Sequence, residues 1–128
     1  MRLLLDTHAF LWWVTNSAQL SRTARDAIAD PRHEVLVSAA SAWEIATKQR
    51  LGKLPGVPLA SHRFNELVVL DGFSHLAVDH RHAVHAGAFD VDHRDPFDRM
   101  LAAQSALERC TLVTLDPVFS LFGTATLW

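Results

Sequence analysis

The chain has 128 residues, of which 49% are hydrophobic and 20% charged, and its formal net charge is −2. That length suits one domain burying about two thirds of the surface its unfolded form would expose. The acidic balance excludes a generic basic nucleic-acid patch, so any contact with nucleic acid has to rely on local positive charge or bound cations.

Residues 2–5 are a short apolar run that stops at Asp6-Thr7, as a buried parallel strand does. Asp6 and His8 interrupt what would otherwise resemble a signal peptide, and no small-residue cleavage site follows. Nothing approaches the ~20 apolar residues of a membrane span, so a soluble cytoplasmic protein is expected. Phe10, Leu11 and Val14 follow at helical spacing, with Trp12 and Trp13 widening the apolar face. Two adjacent tryptophans cannot both enter one core. This helix is therefore expected to leave an apolar patch for a second copy or a protein partner. Asp6 has two open readings: an N-cap for this helix, or a site residue at the carboxyl edge of the sheet.

Ser21 caps a second helix that stops at Asp30-Pro31, and residues 35–37 form the second strand. A helix over residues 38–51 follows, with Gly52 as its C′ residue and Lys48, Arg50 and Lys53 crowding the end where cations are favoured. Glu44 is the far half of a capping box if that helix begins at Ser41 instead of Ser38. Residues 54–58 are a loop, residues 59–70 a helix ended by Asp71-Gly72, and residues 76–78 a short strand. Asp79 then caps a helix to about Ala86. Its histidines, His80, His82 and His85, are expected to be solvated, because no carboxylate or cysteine completes a metal set at ligand spacing.

In residues 93–104, HRDPFDRMLAAQ, Asp95 is placed as an N-cap and Pro96 at the first helical position of a helix running to Arg109. Asp98 lies at the positive end of that helix, which favours an ionised carboxylate. Asp95 and Asp98 could also simply bond each other's amides in a capping box. Cys110, the one cysteine, suits a reducing compartment and buried packing. Residues 111–115 are a strand ending in Asp116-Pro117, and residues 125–128 a last edge strand.

Asp6, Glu44 and Asp116 thus each follow a strand, and in a parallel sheet all strand carboxyl ends share one edge. Asp98 could reach the same edge if an intervening turn brings it round. Four converging carboxylates repel without a cation, and all-oxygen donors select Mg²⁺ or Mn²⁺. Water activation and in-line displacement at phosphate is the chemistry such clusters serve. A phosphorylatable receiver domain is excluded because no lysine follows Lys53, and an aspartyl-nucleophile phosphatase because position 8 holds His8.

The chain resembles the PIN-domain family, and within it the VapC-type toxins of bacterial type II toxin–antitoxin modules. The resemblance rests on Leu4-Leu5-Asp6-Thr7-His8, Ser41-Ala42-Trp43-Glu44-Ile45, His93 to Arg99 with Ala103-Gln104, and Thr114-Leu115-Asp116. Ser105 and Phe122 stand where related chains more often carry Ala and Tyr, and neither departure touches an acid. The resemblance implies a single α/β domain over residues 1–128, a three-layer α/β/α fold with a mostly parallel sheet of four to five strands. It implies an Mg²⁺- or Mn²⁺-dependent endoribonuclease with Asp6, Glu44, Asp98 and Asp116 as catalytic and metal-holding acids. Thr7, Asp95, Arg99 and Thr114 would support the site or contact substrate. By charge alone, Arg99, Lys48, Arg50 and Lys53 offer a basic rim that would help RNA approach an acidic pocket. The implied partners are an RNA substrate such as a tRNA or rRNA, a cognate antitoxin and a second copy in a homodimer. An RNA-processing nuclease without toxin role, or a nuclease-inactive binding module, would share the same packing.

Overall fold

Leu3, Leu4 and Leu5 are fully buried in strand β1 (Arg2–Leu5), because alternate residues enter opposite layers and helices cover both faces of the sheet. The computed structural model describes residues 1–128. β1 lies between β2 (Glu34–Ser38) and β4 (Thr111–Val113), with β3 (Ser74–Leu76) and β5 (Thr126–Leu127) at the edges. The order is therefore β3-β2-β1-β4-β5, and every pairing is parallel.

On one face Leu3, Leu5, Val35, Val37 and Val113 pack with α1 (Thr7–Val14), α2 (Arg22–Ala29), α3 (Ala39–Arg50) and α4 (Phe64–Leu70), through Phe10, Ile28, Ile45 and Phe64. On the other, Leu4, Leu36 and Leu112 meet Leu101 and Ala102 of α6 (Pro96–Leu107) and Phe119 of a 3₁₀ turn (Pro117–Phe122). α5 (His80–Ala88) lies against α6. The result is the expected three-layer α/β/α arrangement, with a sheet of five strands that is wholly parallel. Each large apolar side chain buried here contributes roughly 1.5–3 kcal/mol. No helix is long and apolar enough to cross a membrane.

Several boundaries differ from the sequence reading. The helix expected over residues 59–70 begins only at Phe64, because Leu59 takes a left-handed φ of 67° and the chain turns before it winds. The third strand lies at residues 74–76 instead of 76–78; a shift of two keeps the same side chains on the same face, and Leu76 is buried. α6 ends at Leu107, where Arg109 at φ 55° turns the chain and the Cys110 amide bonds back to the Ser105 carbonyl. α3 starts after a Ser38 cap, so Glu44 lies inside the helix and is no part of a capping box. His82 is buried, not solvated: its Nδ1 accepts the Asp79 amide while Asp79 caps α5 in return. Trp12 and Trp13 do not form one patch. Both are half-buried, Trp13 tilted against Phe73 and donating to Asp71, Trp12 set between His8 and Trp128.

Candidate active site

β1 ends at Leu5, and the next residue is both cap and site. Asp6 Oδ1 accepts the Ala9 amide at 2.7 Å, which starts α1, while Oδ2 accepts the Thr114 hydroxyl at 2.6 Å from the end of β4. The two sequence readings of Asp6 are compatible. Burial raises its pKa above the ordinary carboxylate value, and the Thr114 and Ala9 hydrogen bonds oppose that shift. Thr114 Oγ1 also accepts the Asp116 amide at 3.0 Å, so one hydroxyl ties two acids to the end of β4.

Glu44 comes from the second turn of α3. Its Oε1 accepts the Thr7 hydroxyl at 2.7 Å, and its Oε2 pairs with Lys48 Nζ, one turn along, at 2.5 Å. Ser41 lies 3.0 Å from the same Thr7 oxygen. Asp98 arrives on α6, whose start is set by Pro96 and by Asp95 accepting the Phe97 and Asp98 amides. Asp98 does not reach back to complete a capping box; its Oδ2 lies 2.8 Å from His93 Nε2. Its pKa is raised, chiefly by burial and further by the charges of Asp95 and Asp116, with His93 pulling the other way. Asp116 caps the 3₁₀ turn through the Val118 amide at 2.9 Å.

All four acids line one pocket of about 140 Å³, together with Thr7, His8, Lys48, Asp95 and Leu101. Of the residues singled out from sequence, Arg99, Thr114 and the rim candidates Arg50 and Lys53 are not in its wall. Thr114 acts from behind by holding Asp6. Of the two roles left open for Arg99, the structure gives it the supporting one: its guanidinium donates to the carbonyls of Ala86, Gly87, Phe89, Val91 and His93. Those bonds leave it poorly placed as a free cation on a basic rim. Lys48 is likewise committed, to Glu44. Sequence reasoning missed the positions of His8 and Ser41 and the bond from His93 to Asp98, although His93 lies in the charged turn before the helix.

Asp98 Oδ1 and Asp116 Oδ2 accept no hydrogen bond from the protein, while both oxygens of Asp6 and Glu44 do. No group of three or more histidine, cysteine, aspartate or glutamate side chains is arranged to hold a metal ion. The wall is an open cluster of carboxylates with His8 and Lys48 among them, and it holds no cysteine of the kind that closes a structural zinc site.

Fold and site together define a wholly parallel α/β domain that gathers carboxylates at its carboxyl edge, around the point where the strand order reverses beside β1. The PIN domain model matches residues 3–123, and the chain belongs to the PIN domain family. The chain is 40% identical over 72 residues to Ribonuclease VapC16 of Mycobacterium tuberculosis; the match covers 56% of this chain and about half of that relative, 51%. The fold is also similar to VapBC2 from Rickettsia felis bound to a promoter DNA fragment (TM-score 0.66, 12% identity, 99% of this chain and 98% of that one). It is similar too to FitAcB from Neisseria gonorrhoeae (TM-score 0.62, 21% identity, 98% and 96%).

Proposed function

We propose that this chain is an Mg²⁺- or Mn²⁺-dependent endoribonuclease and the toxin of a type II toxin–antitoxin pair. One observation carries the reading: Asp6, Glu44, Asp98 and Asp116, from the ends of β1 and β4 and from α3 and α6, line a single small pocket, with Asp95 as a fifth carboxylate in its wall. Family membership, the ribonuclease name of the relative, and VapBC2 and FitAcB among similar folds support it.

The donor set fits a hard divalent ion, which is ordinarily bound through a few carboxylates while keeping several waters. Asp98 and Asp116 have oxygens to offer, and Asp6 and Glu44 complete the negative field. When bound, such an ion polarises a phosphodiester and makes water a stronger acid. The chain's own groups do the positioning. Thr114 and the Ala9 amide fix the Asp6 carboxylate, Thr7 fixes Glu44, and His93 orients Asp98. Lys48 balances part of the charge, which lets the acids lie close together before an ion arrives.

The test is degradation of a structured RNA by the purified protein in Mn²⁺, against an EDTA control and an Asp98→Asn variant. Loss of cleavage in both controls is expected; full activity in either overturns the metal reading. An RNA-processing nuclease would use the same site without an antitoxin. Capture of a small DNA-binding protein encoded beside this chain, with loss of RNA cleavage in the complex, distinguishes the toxin. The partner set proposed is that antitoxin, RNA and a second copy of the chain, in the cytoplasm.

A further inference from the structure

Three hollows meet along α1. His8 lines the acid pocket. A second hollow, about 190 Å³, is walled by Asp6, His8, Trp12, Leu115, Asp116 and Pro117. A third, about 290 Å³, runs from His8 and Trp12 past Gln19 to the loop beginning at Lys53. His8 belongs to all three and Trp12 to the last two, so the hollows form one trough that begins at the acids. We propose that this trough is a base-stacking subsite for single-stranded RNA, with Trp12 and His8 as its platform; the inference rests on the ribonuclease reading and names the form of its substrate.

Chemistry and geometry agree on this occupant. The His8 and Trp12 rings lie 5.5 Å apart at an angle of 33°, and Trp128 backs the indole edge-on at 5.7 Å. The half-buried Trp12 ring lines the trough with an aromatic neighbour in His8 and another in Trp128, so its position is restrained before any base stacks. From the Asp6 cap to Trp12 is six residues, about 9 Å along the helix axis. A polynucleotide with a phosphodiester at the acids must leave the pocket on either side. Carboxylates repel its next phosphate on most paths, but no acidic residue lines the third hollow. Lys53, exposed at that far end, joins none of the chain's ion pairs and can meet a phosphate. Exposed Gln19 offers a donor and an acceptor to a base edge. A peptide with aromatic and acidic side chains would use the same rings and ammonium; RNA is favoured because the trough begins at the acids of the proposed cleavage site.

The experiment measures binding apart from cleavage. A fluorescein-labelled single-stranded RNA octamer, and a set of octamers each abasic at one position, are titrated by anisotropy against the Asp98→Asn protein with Mg²⁺, where the RNA survives. Adding Trp12→Leu should raise Kd roughly ten- to a hundredfold, the range expected for losing one stacked base. Trp12→Phe should keep most of the affinity, and Lys53→Ala should flatten the salt dependence. One abasic position should cost the same factor in the Trp12 protein and nothing once Trp12→Leu is present. Circular dichroism checks folding; if Trp12→Leu is unfolded, His8→Ala and Lys53→Ala carry the same comparison. Unchanged affinity in Trp12→Leu with no positional coupling overturns the inference, as does absence of RNA binding, and leaves a protein segment as the occupant. Coupled binding by a chain whose wild type cleaves no RNA would instead remove the nuclease reading and keep the trough.

Discussion

Asp95 Oδ1 accepts the Phe97 and Asp98 amides, whereas Asp98 keeps Oδ1 free of protein and has only His93 on the other oxygen. Two acids one turn apart therefore have separable jobs. Asn caps a helix about as well as Asp, so Asp95→Asn should change stability by less than ~0.5 kcal/mol and leave Mn²⁺ affinity within a few-fold. Asp98→Asn should keep the helix and lose most of the calorimetric heat of Mn²⁺ binding. The reverse pattern would exchange the two roles. Acidity gives a second handle. Asp6 and Asp98 both have raised pKa values, mainly because burial disfavours their charged forms. Between the ordinary value of 3.8 and the raised one, the folded protein holds more protons than the unfolded chain. Without metal, the stability these groups contribute is present below the ordinary value and is lost as pH rises through the raised one. Thermal melts in EDTA should thus show Asp98→Asn gaining on wild type as pH rises above the ordinary carboxylate value of 3.8. A difference that stays flat, or falls, would mean that burial does not govern Asp98.

At the scale of elements, Arg99 joins the end of α5 and the following loop to the start of α6, through five carbonyls between Ala86 and His93, and it lies 6.0 Å over the Phe122 ring. A lysine has one ammonium in place of a planar fork and cannot reproduce that set. Hydrogen bonds to charged groups are each worth about 1.5–3 kcal/mol, so Arg99→Lys should lose about 3 kcal/mol and lower the melting temperature by roughly 10 °C. A drop in RNA affinity with no change in melting would instead restore Arg99 to the rim. This clamp also marks where sequence reading stops. Strands and capped helices were legible because each is a local pattern: the leucines of β1, Ser21 before α2, Pro96 after Asp95. Asp6 and Asp116 were legible because a parallel sheet sends every strand end to one edge, whereas Asp98, in the first turn of α6, was tied to them only by the family resemblance. What was hidden depends on distant partners. Nothing near Arg99 says that its donors go to a loop, nothing near His82 says that it is buried, and the shift of β3 by two residues is set by its pairing with β2. Leu59 and Arg109 reverse the chain with positive φ at residues that rarely adopt it, so no glycine announced either turn.

Across the whole molecule, the acids come from opposite layers. α3, bearing Glu44, packs on the Leu3 and Val37 side of the sheet, and α6, bearing Asp98, packs on the Leu4 and Leu112 side, while Asp6 and Asp116 extend β1 and β4 between them. An ion held by these groups would join the two halves of the sandwich across its carboxyl edge. The unfolded chain has no such cluster, so binding is linked to folding by mass action. Mn²⁺ at a hundredfold excess over Kd should add about 2.7 kcal/mol of stability and raise the melting temperature by roughly 10 °C, with a logarithmic dependence on concentration beyond that. Asp98→Asn should lose the shift and Asp95→Asn should keep it, while Arg99→Lys should melt lower yet still respond to the ion. Scanning calorimetry across a Mn²⁺ series checks all four proteins at once. A wild type whose melting point is indifferent to Mn²⁺ at every concentration would mean that these carboxylates do not act as one site, however close the fold brings them.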